Sequence, residues 1–386
     1  NGHWSRPSRF KTVTGSAALL VVLLLTVGTV AAVASQATAG RGFTLADWAA
    51  IRFTVLQALV SATLSIALAI PTARALARRR FRGRQVMVAL LGAPFILPAI
   101  VAVLGIVSVW GRSGLISGGL TALGLAPLNI YGFSGVVLAH VFFNLERPML
   151  RAAVPGAFLL VFLLCLTSFA VALSLGGGPR ATTIELAIYQ ALRFDFDLSK
   201  AALLSILQFA LCTATAGATL ALARPTAFSV GLDHPPARWD GTETGTRIFD
   251  TVLLLGVALF LFAPLVSVVL RGLPPLFSLP PQIWPALLNS LLIAIPAALL
   301  ATALALALAA LISDMARRSK AAALLEAIGF LALAASPFVI GTGLFVLLNP
   351  VVDPFSLALP ITIAVNATMS LPFALRILLP ALQRAE

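Results

Sequence analysis

The chain has 386 residues, of which 60% are hydrophobic and only 10% are charged, and its net charge is +13. A soluble domain has about one quarter charged residues, so this composition excludes a soluble globular fold. The basic balance does not indicate a nucleic-acid partner, because the arginines form short clusters between apolar runs instead of lining one water-facing groove. The surplus apolar surface must face a lipid bilayer.

About ten apolar runs have the length of a helix that crosses roughly 30 Å of hydrocarbon. They are too long and too continuously apolar for the alternating strands of a membrane barrel. The sequence therefore predicts an all-α polytopic membrane protein. The predicted spans lie near residues 14–37, 50–75, 86–110, 132–145, 153–175, 200–223, 249–270, 285–313, 321–348 and 357–380.

The first run follows a basic N-terminus and ends in small residues, a pattern that also occurs in secretory signal peptides. The apolar stretch from Thr14 to Ala34 is longer than that of such a peptide, and many further spans follow it. We therefore favour a retained membrane helix, with a cleaved signal peptide as the alternative.

Lysine and arginine are divided unevenly between alternate loops. With the N-terminus in the cytoplasm, one side receives the terminal cluster and the two basic clusters Arg74 to Arg84 and Arg317 to Lys320. The opposite side keeps far fewer cations. Because basic loops remain in the cytoplasm, the sequence predicts a multi-pass membrane protein with a cytoplasmic N-terminus.

Residues 224–248 are polar, contain three prolines and separate two parts of the chain, 1–223 and 249–386. Two markers recur at one spacing: Arg317 follows Arg78, and Pro337 follows Pro98, by 239 residues. Internal duplication is common in membrane transporters. The pattern predicts two duplicated halves of a membrane protein joined by a cytoplasmic linker, with chance similarity between apolar helices as the alternative.

Some polar residues fall within the apolar runs, where an unpaired polar group is costly to bury. His140 and Asn144 are four residues apart and share one helical face. Two interpretations stay open for the whole set, a translocation pathway and hydrogen bonds between helices, the latter worth about 0.6 kcal/mol each on average. The pathway candidates are His140, Asn144, Asn289, Ser290, Asn366, Thr368 and Ser370.

Residues 176–199 fall on the predicted outer side, and Thr182 to Leu192 has helical character along the membrane surface. The glycines at 176–178 are not followed by Gly-Lys-Ser/Thr, so they do not form a phosphate loop. The acidic residues here have three interpretations: docking of a binding protein, attraction of a cationic substrate at the entrance, and ordinary solvated charge. The tyrosine is also a possible interfacial anchor. The docking candidates are Glu185, Tyr189, Asp195 and Asp197.

Three segments are familiar: LAHVFFNL (138–145), SLGGGPRATTIELAIYQALRFDFD (174–197), and the basic loop Arg74 to Arg84 with Ile96-Leu97-Pro98. In these segments the chain resembles the fused permease subunits of type I ABC importers, most closely the bacterial thiamine and thiamine diphosphate permeases. The resemblance covers most of residues 45–223 and is looser in the second half. The segment from Gly176 to Gln190 is its most specific part.

The resemblance implies about twelve helices in full, two copies of a cytoplasmic ATP-binding subunit, a periplasmic substrate-binding protein and a small-molecule substrate. ATP and Mg would be bound by the partners, and this chain would hold no catalytic residue, metal or cofactor of its own. It also implies two cytoplasmic coupling loops, one after Leu145 and one near Gln383 to Glu386, with two further helices expected beyond the second. Neither loop is in the printed sequence, so we assign no coupling residue.

Two alternatives to the thiamine importer remain. The same class of importer could carry ferric iron, sulfate or a polyamine. A secondary transporter driven by an ion gradient is the other alternative, but it would usually place carboxylates within the membrane, and Asp250 and Asp314 lie only at the ends of predicted spans.

Overall fold

The computed structural model describes residues 9–36, 42–145, 154–176, 178, 181–222, 244–316, 325, 328–329, 331–333 and 335–385. Residues 224–243 of the predicted linker, the stretch 146–153 after Leu145 and the basic cluster Arg317 to Lys320 lie outside the described residues. Within the described ranges the regular elements are helical.

The first part of the chain forms a series of helices, joined by short connections. Its α1 continues through a π-helical turn (Leu24–Gly28) into α2. The helices are α1 (Arg9–Leu23), α2 (Thr29–Ala34), α3 (Leu45–Arg78), α4 (Arg84–Ile96), α5 (Ala99–Trp110), α6 (Leu115–Ala122), α7 (Phe133–Asn144), α8 (Val154–Leu166), α9 (Phe169–Leu175), α10 (Ile184–Arg193) and α11 (Leu198–Leu222).

Further helices come from the described residues of the second part of the chain. They are α12 (Thr244–Gly272), α13 (Ile283–Ala316), α14 (Pro337–Leu348) and α15 (Ala358–Ala385).

Within the described residues, seven helices are long and apolar enough to cross a membrane. The pair α8 and α9, bent by 58° at its break, makes an eighth crossing if it is counted as one span. Helices α7 and α14 are apolar but shorter. The prediction of an all-α polytopic membrane protein is therefore confirmed.

Two predicted runs are interrupted where prolines end or begin a helix. The run 86–110 divides into α4 and α5 at Leu97, whose extended backbone (ψ 142°) precedes Pro98. Helix α14 begins at Pro337, and the Ser336 hydroxyl accepts the backbone N–H of Phe338 at 3.2 Å. Both breaks follow from the clash that keeps the residue before proline out of the helical region.

Helix α3 begins with a capping box. The Thr44 hydroxyl accepts the Asp47 N–H at 3.2 Å, and the Asp47 carboxylate accepts the Thr44 N–H at 2.9 Å, so two N–H groups at the helix start are satisfied. Helix α3 has 34 residues, and α13, which begins 238 positions later, also has 34. This equality fits the duplicated halves, which remain a prediction.

One compact unit comprises Thr44–Leu186 and Ala218–Leu279. Within it α3 packs against α7, α8 and α12, and α12 packs against α5. A Cβ at Gly105 on α5 would lie 2.7 Å from the carbonyl oxygen of Pro264 on α12. One turn later the hydroxyls of Ser108 and Ser267 are 2.6 Å apart. A small residue thus brings the two backbones close enough for a hydrogen bond between helices.

The other compact unit comprises Asn1–Phe43, Ala187–Gly217 and Pro280–Glu386. Within it α1 packs against α13, α2 packs against α14, and α13 packs along α15. Gly343 on α14 allows a close crossing, because a side chain there would collide with the backbone of Thr29. The first helices of the chain therefore belong to the unit formed mostly by its second part, whereas α12 belongs to the other unit.

Candidate functional site

A stripe of polar side chains runs along one face of α3. Thr54, Gln57, Ser61 and Ser65 are separated by three, four and four residues, the spacing that keeps side chains on a single helical face. All four are fully buried. Buried polar groups need hydrogen-bond partners, and two neighbouring helices of the same unit supply several of them.

The partners come from α7 and α8. His140 Nδ1 lies 3.3 Å from the Ser61 hydroxyl, and the Gln57 amide donates to the Cys165 carbonyl at 2.9 Å. Asn144 donates to the His140 carbonyl at 2.8 Å, and its amide nitrogen is 3.9 Å from the Cys165 sulfur. These five residues form what we term the polar cluster, which joins α3 to the consecutive helices α7 and α8.

The polar cluster retains hydrogen-bonding capacity. Gln57 Oε1, His140 Nε2 and the Ser65 hydroxyl, one turn further along α3, are buried and have no hydrogen-bond partner among the described residues. When Ser61 donates to Nδ1, the proton of the neutral imidazole is on Nε2, which is then a donor. The polar cluster therefore contains an amide acceptor and an imidazole donor whose hydrogen-bonding capacity the described residues do not use.

A buried ion pair lies elsewhere in the same unit, where α3 ends and α12 begins. Asp250 is fully buried and accepts hydrogen bonds from Arg78 at 2.7 Å and Arg79 at 2.8 Å. The Arg79 guanidinium is also 3.5 Å from the Thr246 hydroxyl. A carboxylate between two guanidinium groups ties the basic loop after α3 to the first turns of α12.

The pathway candidates on α13 differ from those on α7. Asn289 and Ser290 lie near the start of α13 in the other unit, and both are exposed. The Ser290 hydroxyl donates to its own helix at the Ala286 carbonyl, at 2.9 Å. Their role in a pathway remains a prediction.

The candidates on α15 also belong to that second unit. Asn366 and Ser370 are exposed, whereas Thr368 is buried and donates to the Ala364 carbonyl at 2.7 Å. A hydroxyl satisfied by its own helix needs no partner elsewhere, which favours the structural interpretation for Thr368.

Two docking candidates, Glu185 and Tyr189, lie on α10, and the other two, Asp195 and Asp197, follow its end. The position of α10 agrees with the predicted helical stretch Thr182 to Leu192. Glu185 is fully buried, so its carboxylate does not lie on the surface where docking was predicted. Tyr189 is partly buried, with its ring 5.5 Å from that of Phe338. Asp195 is exposed and Asp197 accepts the Lys200 N–H at 2.8 Å, which caps the start of α11.

Sequence reasoning found His140 and Asn144 but missed Gln57, Ser61 and Cys165. The signal for the two α3 residues was present, since polar residues at helical spacing within an apolar run mark a polar face. Cys165 contributes through its backbone carbonyl, for which side-chain chemistry gives no signal.

A bundle of apolar helices that gathers neutral polar side chains in its interior is typical of a membrane transport protein. The chain is 37% identical over 419 residues to the thiamine transport system permease protein ThiP of Brucella abortus (strain 2308), covering 96% of this chain and 77% of the relative. It is 39% identical over 378 residues to the Escherichia coli (strain K12) protein of that name, covering 86% and 69%. The chain therefore belongs to the family of thiamine transport system permeases.

A more distant relative supports the same assignment. The ThiP protein of Haemophilus influenzae is 33% identical over 379 residues, covering 85% of this chain and 69% of the relative. No family model matches the sequence, and no solved structure matches it. The resemblance found in the sequence is thus confirmed.

The alignment with the Brucella protein is longer than the chain itself, at 419 against 386 residues. The relative therefore carries internal residues that have no counterpart here. This difference agrees with the expectation that permeases of this family contain segments absent from the printed sequence.

Proposed function

We propose that the chain is the transmembrane translocation subunit of an ATP-driven, binding-protein-dependent importer of thiamine or thiamine diphosphate in the bacterial inner membrane. The observation that carries the proposal is identity of 33–39% over most of the chain to proteins named as thiamine transport permeases. The multi-pass helical architecture supports it.

The energy for transport would come from partner subunits. The sequence has no Gly-Lys-Ser/Thr phosphate loop, so we assign ATP and Mg to two copies of a cytoplasmic ATP-binding subunit and no cofactor to this chain. A periplasmic substrate-binding protein would deliver the cargo. We retain Tyr189, Asp195 and Asp197 as docking candidates and give up Glu185 because it is buried.

Transport would proceed by alternating access, in which ATP binding by the partners shifts the permease between inward-open and outward-open states. The polar cluster supports a role for the α3–α7–α8 interface in this change. If the interface opens, Gln57 Oε1 would accept and His140 Nε2 would donate a hydrogen bond to an aminopyrimidine ring.

The test is uptake of labelled thiamine into proteoliposomes that contain the complete permease, its ATPase and its binding protein, with ferric iron as the control cargo. We expect thiamine accumulation that requires both ATP and the binding protein. Iron uptake without thiamine uptake would contradict the proposed cargo but would still agree with an ATP-driven importer. Thiamine uptake driven by a proton gradient without ATP would contradict the proposed mechanism.

A further inference from the structure

Two exposed phenylalanines lie in the short connection between α10 and α11. Phe194 is 67% exposed and Phe196 is 79% exposed. Phe196 also has a left-handed backbone (φ +51°), which no other non-glycine residue in the described part of the chain adopts. We call residues 194–197 the aromatic tip.

The aromatic tip is held in place from both sides. The N–H groups of Phe194 and Asp195 donate to the Gln190 carbonyl at 2.9 and 3.2 Å, and the Asp197 N–H donates to the Ala191 carbonyl at 2.9 Å. These bonds fasten the tip to the end of α10. On the other side, Asp197 accepts the Lys200 N–H at 2.8 Å, and the Asp195 carboxylate lies 3.8 Å from the Lys200 ammonium.

Neither conformation nor packing accounts for phenylalanine at position 196. The left-handed region disfavours residues with a bulky Cβ substituent, and glycine or asparagine would adopt it at lower cost. A phenyl ring that is 79% exposed adds little to the core. A strained residue held rigidly by its surroundings is a reason to look for a binding role.

The charges around the tip favour a protein partner over a lipid surface. Asp195 and Asp197 flank Phe196 directly, and Arg193 and Lys200 lie close by, with Lys200 3.8 Å from Asp195. Inserting the Phe196 ring into a bilayer would therefore bring charged groups of both signs toward hydrocarbon. At a protein interface the same arrangement is favourable, with an aromatic anchor in an apolar pocket and charged residues at the wetter rim.

We propose that Phe194 and Phe196 are the anchors by which the permease binds its soluble substrate-binding protein. Their rings would fill an apolar pocket of that partner, and basic side chains at the pocket's rim would face Asp195 and Asp197. This inference rests on the proposed function, because it requires a binding-protein-dependent importer with the α10–α11 connection on the outer side.

The test uses the complete permease–ATPase complex in nanodiscs and the purified thiamine-binding protein as the probe. The variants are Phe194→Ser and Phe196→Asn, the second chosen because asparagine tolerates the left-handed backbone. We expect each variant to weaken binding of the probe by about tenfold or more, as loss of an aromatic hot spot does. Basal ATPase activity should not change, and thermal stability should not fall in either variant.

Phe355→Asn is the matched control. Phe355 is also 79% exposed and lies in the turn between α14 and α15, but its backbone is not left-handed. We expect this variant to bind the probe as the unmodified complex does.

Three results would overturn the inference while the unmodified complex still imports thiamine. The first is normal binding of the probe by both tip variants, and the second is an equal loss of binding by the Phe355 control. The third is loss of basal ATPase activity or thermal stability in the tip variants without the probe, which is expected if the rings anchor the protein in lipid. Failure of the unmodified complex to import thiamine with its binding protein would overturn the proposed function, and this inference with it.

Discussion

Asp250 shows how strongly the fold depends on one buried charge. Its carboxylate is fully buried between Arg78 and Arg79, whose side chains are themselves only 15% and 14% exposed. A buried ion pair contributes little net stability compared with an apolar contact, but removal of one partner leaves uncompensated charge behind. Removing one partner of a buried ion pair should therefore lower the free energy of unfolding more than removing one partner of an exposed pair.

We expect Asp250→Ala to lower the free energy of unfolding by about 3–5 kcal/mol, because two guanidinium groups lose their shared carboxylate. Reversible unfolding in mixed micelles measures this change. Asp195→Ala is the control, since its exposed pair with Lys200 spans 3.8 Å and should contribute less than about 1 kcal/mol. Similar losses of unfolding free energy in both variants would contradict the conclusion that the buried Asp250 ion pair matters more to the fold than the exposed Asp195 pair.

The His140 ring links α7 to α3 through its contact with the Ser61 hydroxyl. We expect His140→Ala to reduce thiamine uptake several-fold at nearly unchanged folded yield, because an interhelical hydrogen bond in a membrane contributes only about 0.6 kcal/mol on average. Uptake per milligram of folded protein is the measurement. Thr26→Val is a suitable control, because the buried Thr26 hydroxyl donates to its own helix at Val22. Unchanged uptake in His140→Ala would remove it from the pathway.

The sequence could predict that His140 and Asn144 share a face, because that depends only on helical geometry. It could not predict that His140 contacts Ser61, 79 residues away, because packing between helices decides that pairing. Glu185 is a second residue whose environment the sequence could not predict. It lies in a polar segment that indicates solvent exposure, yet the folded chain buries it.

At the scale of elements, the lengths of the apolar runs predicted where helices form, but they did not predict where those helices break. Pro98 and Pro337 stand where helices begin, but Pro71, Pro264 and Pro296 lie inside continuous helices. Neighbouring helices and local adjustments can satisfy the backbone groups that an internal proline frees in a membrane. Proline alone therefore does not identify the broken runs.

Contacts between helices depend on glycine at specific crossings, and Gly105 offers a direct test. We expect Gly105→Ala to reduce folded yield and thermal stability, because its Cβ would lie 2.7 Å from the Pro264 carbonyl oxygen and separate α5 from α12. Gly256→Ala on α12 is the control, since nothing lies within 4 Å of its added methyl group. Alanine is the better helix former by about 1 kcal/mol, so a stabilised Gly105→Ala would show that the crossing is not tight.

At the scale of the whole molecule, the two compact units do not follow the order of the sequence. Helices α1 and α2 pack with α13 and α14, whereas α12 packs with α3 and α5. The sequence predicted two consecutive halves, 1–223 and 249–386, from composition and repeated markers. Those signals lie along the chain and carry no information on which unit receives each helix, because that depends on contacts made after the chain has folded back.

The orientation in the membrane is the remaining prediction at this scale. With the N-terminus in the cytoplasm, the loop after α3 lies inside and the turn between α14 and α15 lies outside, because the basic clusters stay in the cytoplasm. The chain suits a labelling test, since its two cysteines, Cys165 and Cys212, are both buried. An added cysteine at Phe81 or Phe355, which are 41% and 79% exposed, would then be the main reactive thiol.

We expect a membrane-impermeant maleimide applied to intact spheroplasts to label Phe355→Cys and to leave Phe81→Cys unlabelled until the membrane is permeabilised. The unmodified chain is the control for the reactivity of the buried cysteines. The reverse pattern would place the arginine-rich loop outside and contradict the positive-inside argument. It would also move the connection between α10 and α11 to the cytoplasmic face, where no periplasmic protein could bind it, so this experiment limits the proposed docking surface as well as the topology.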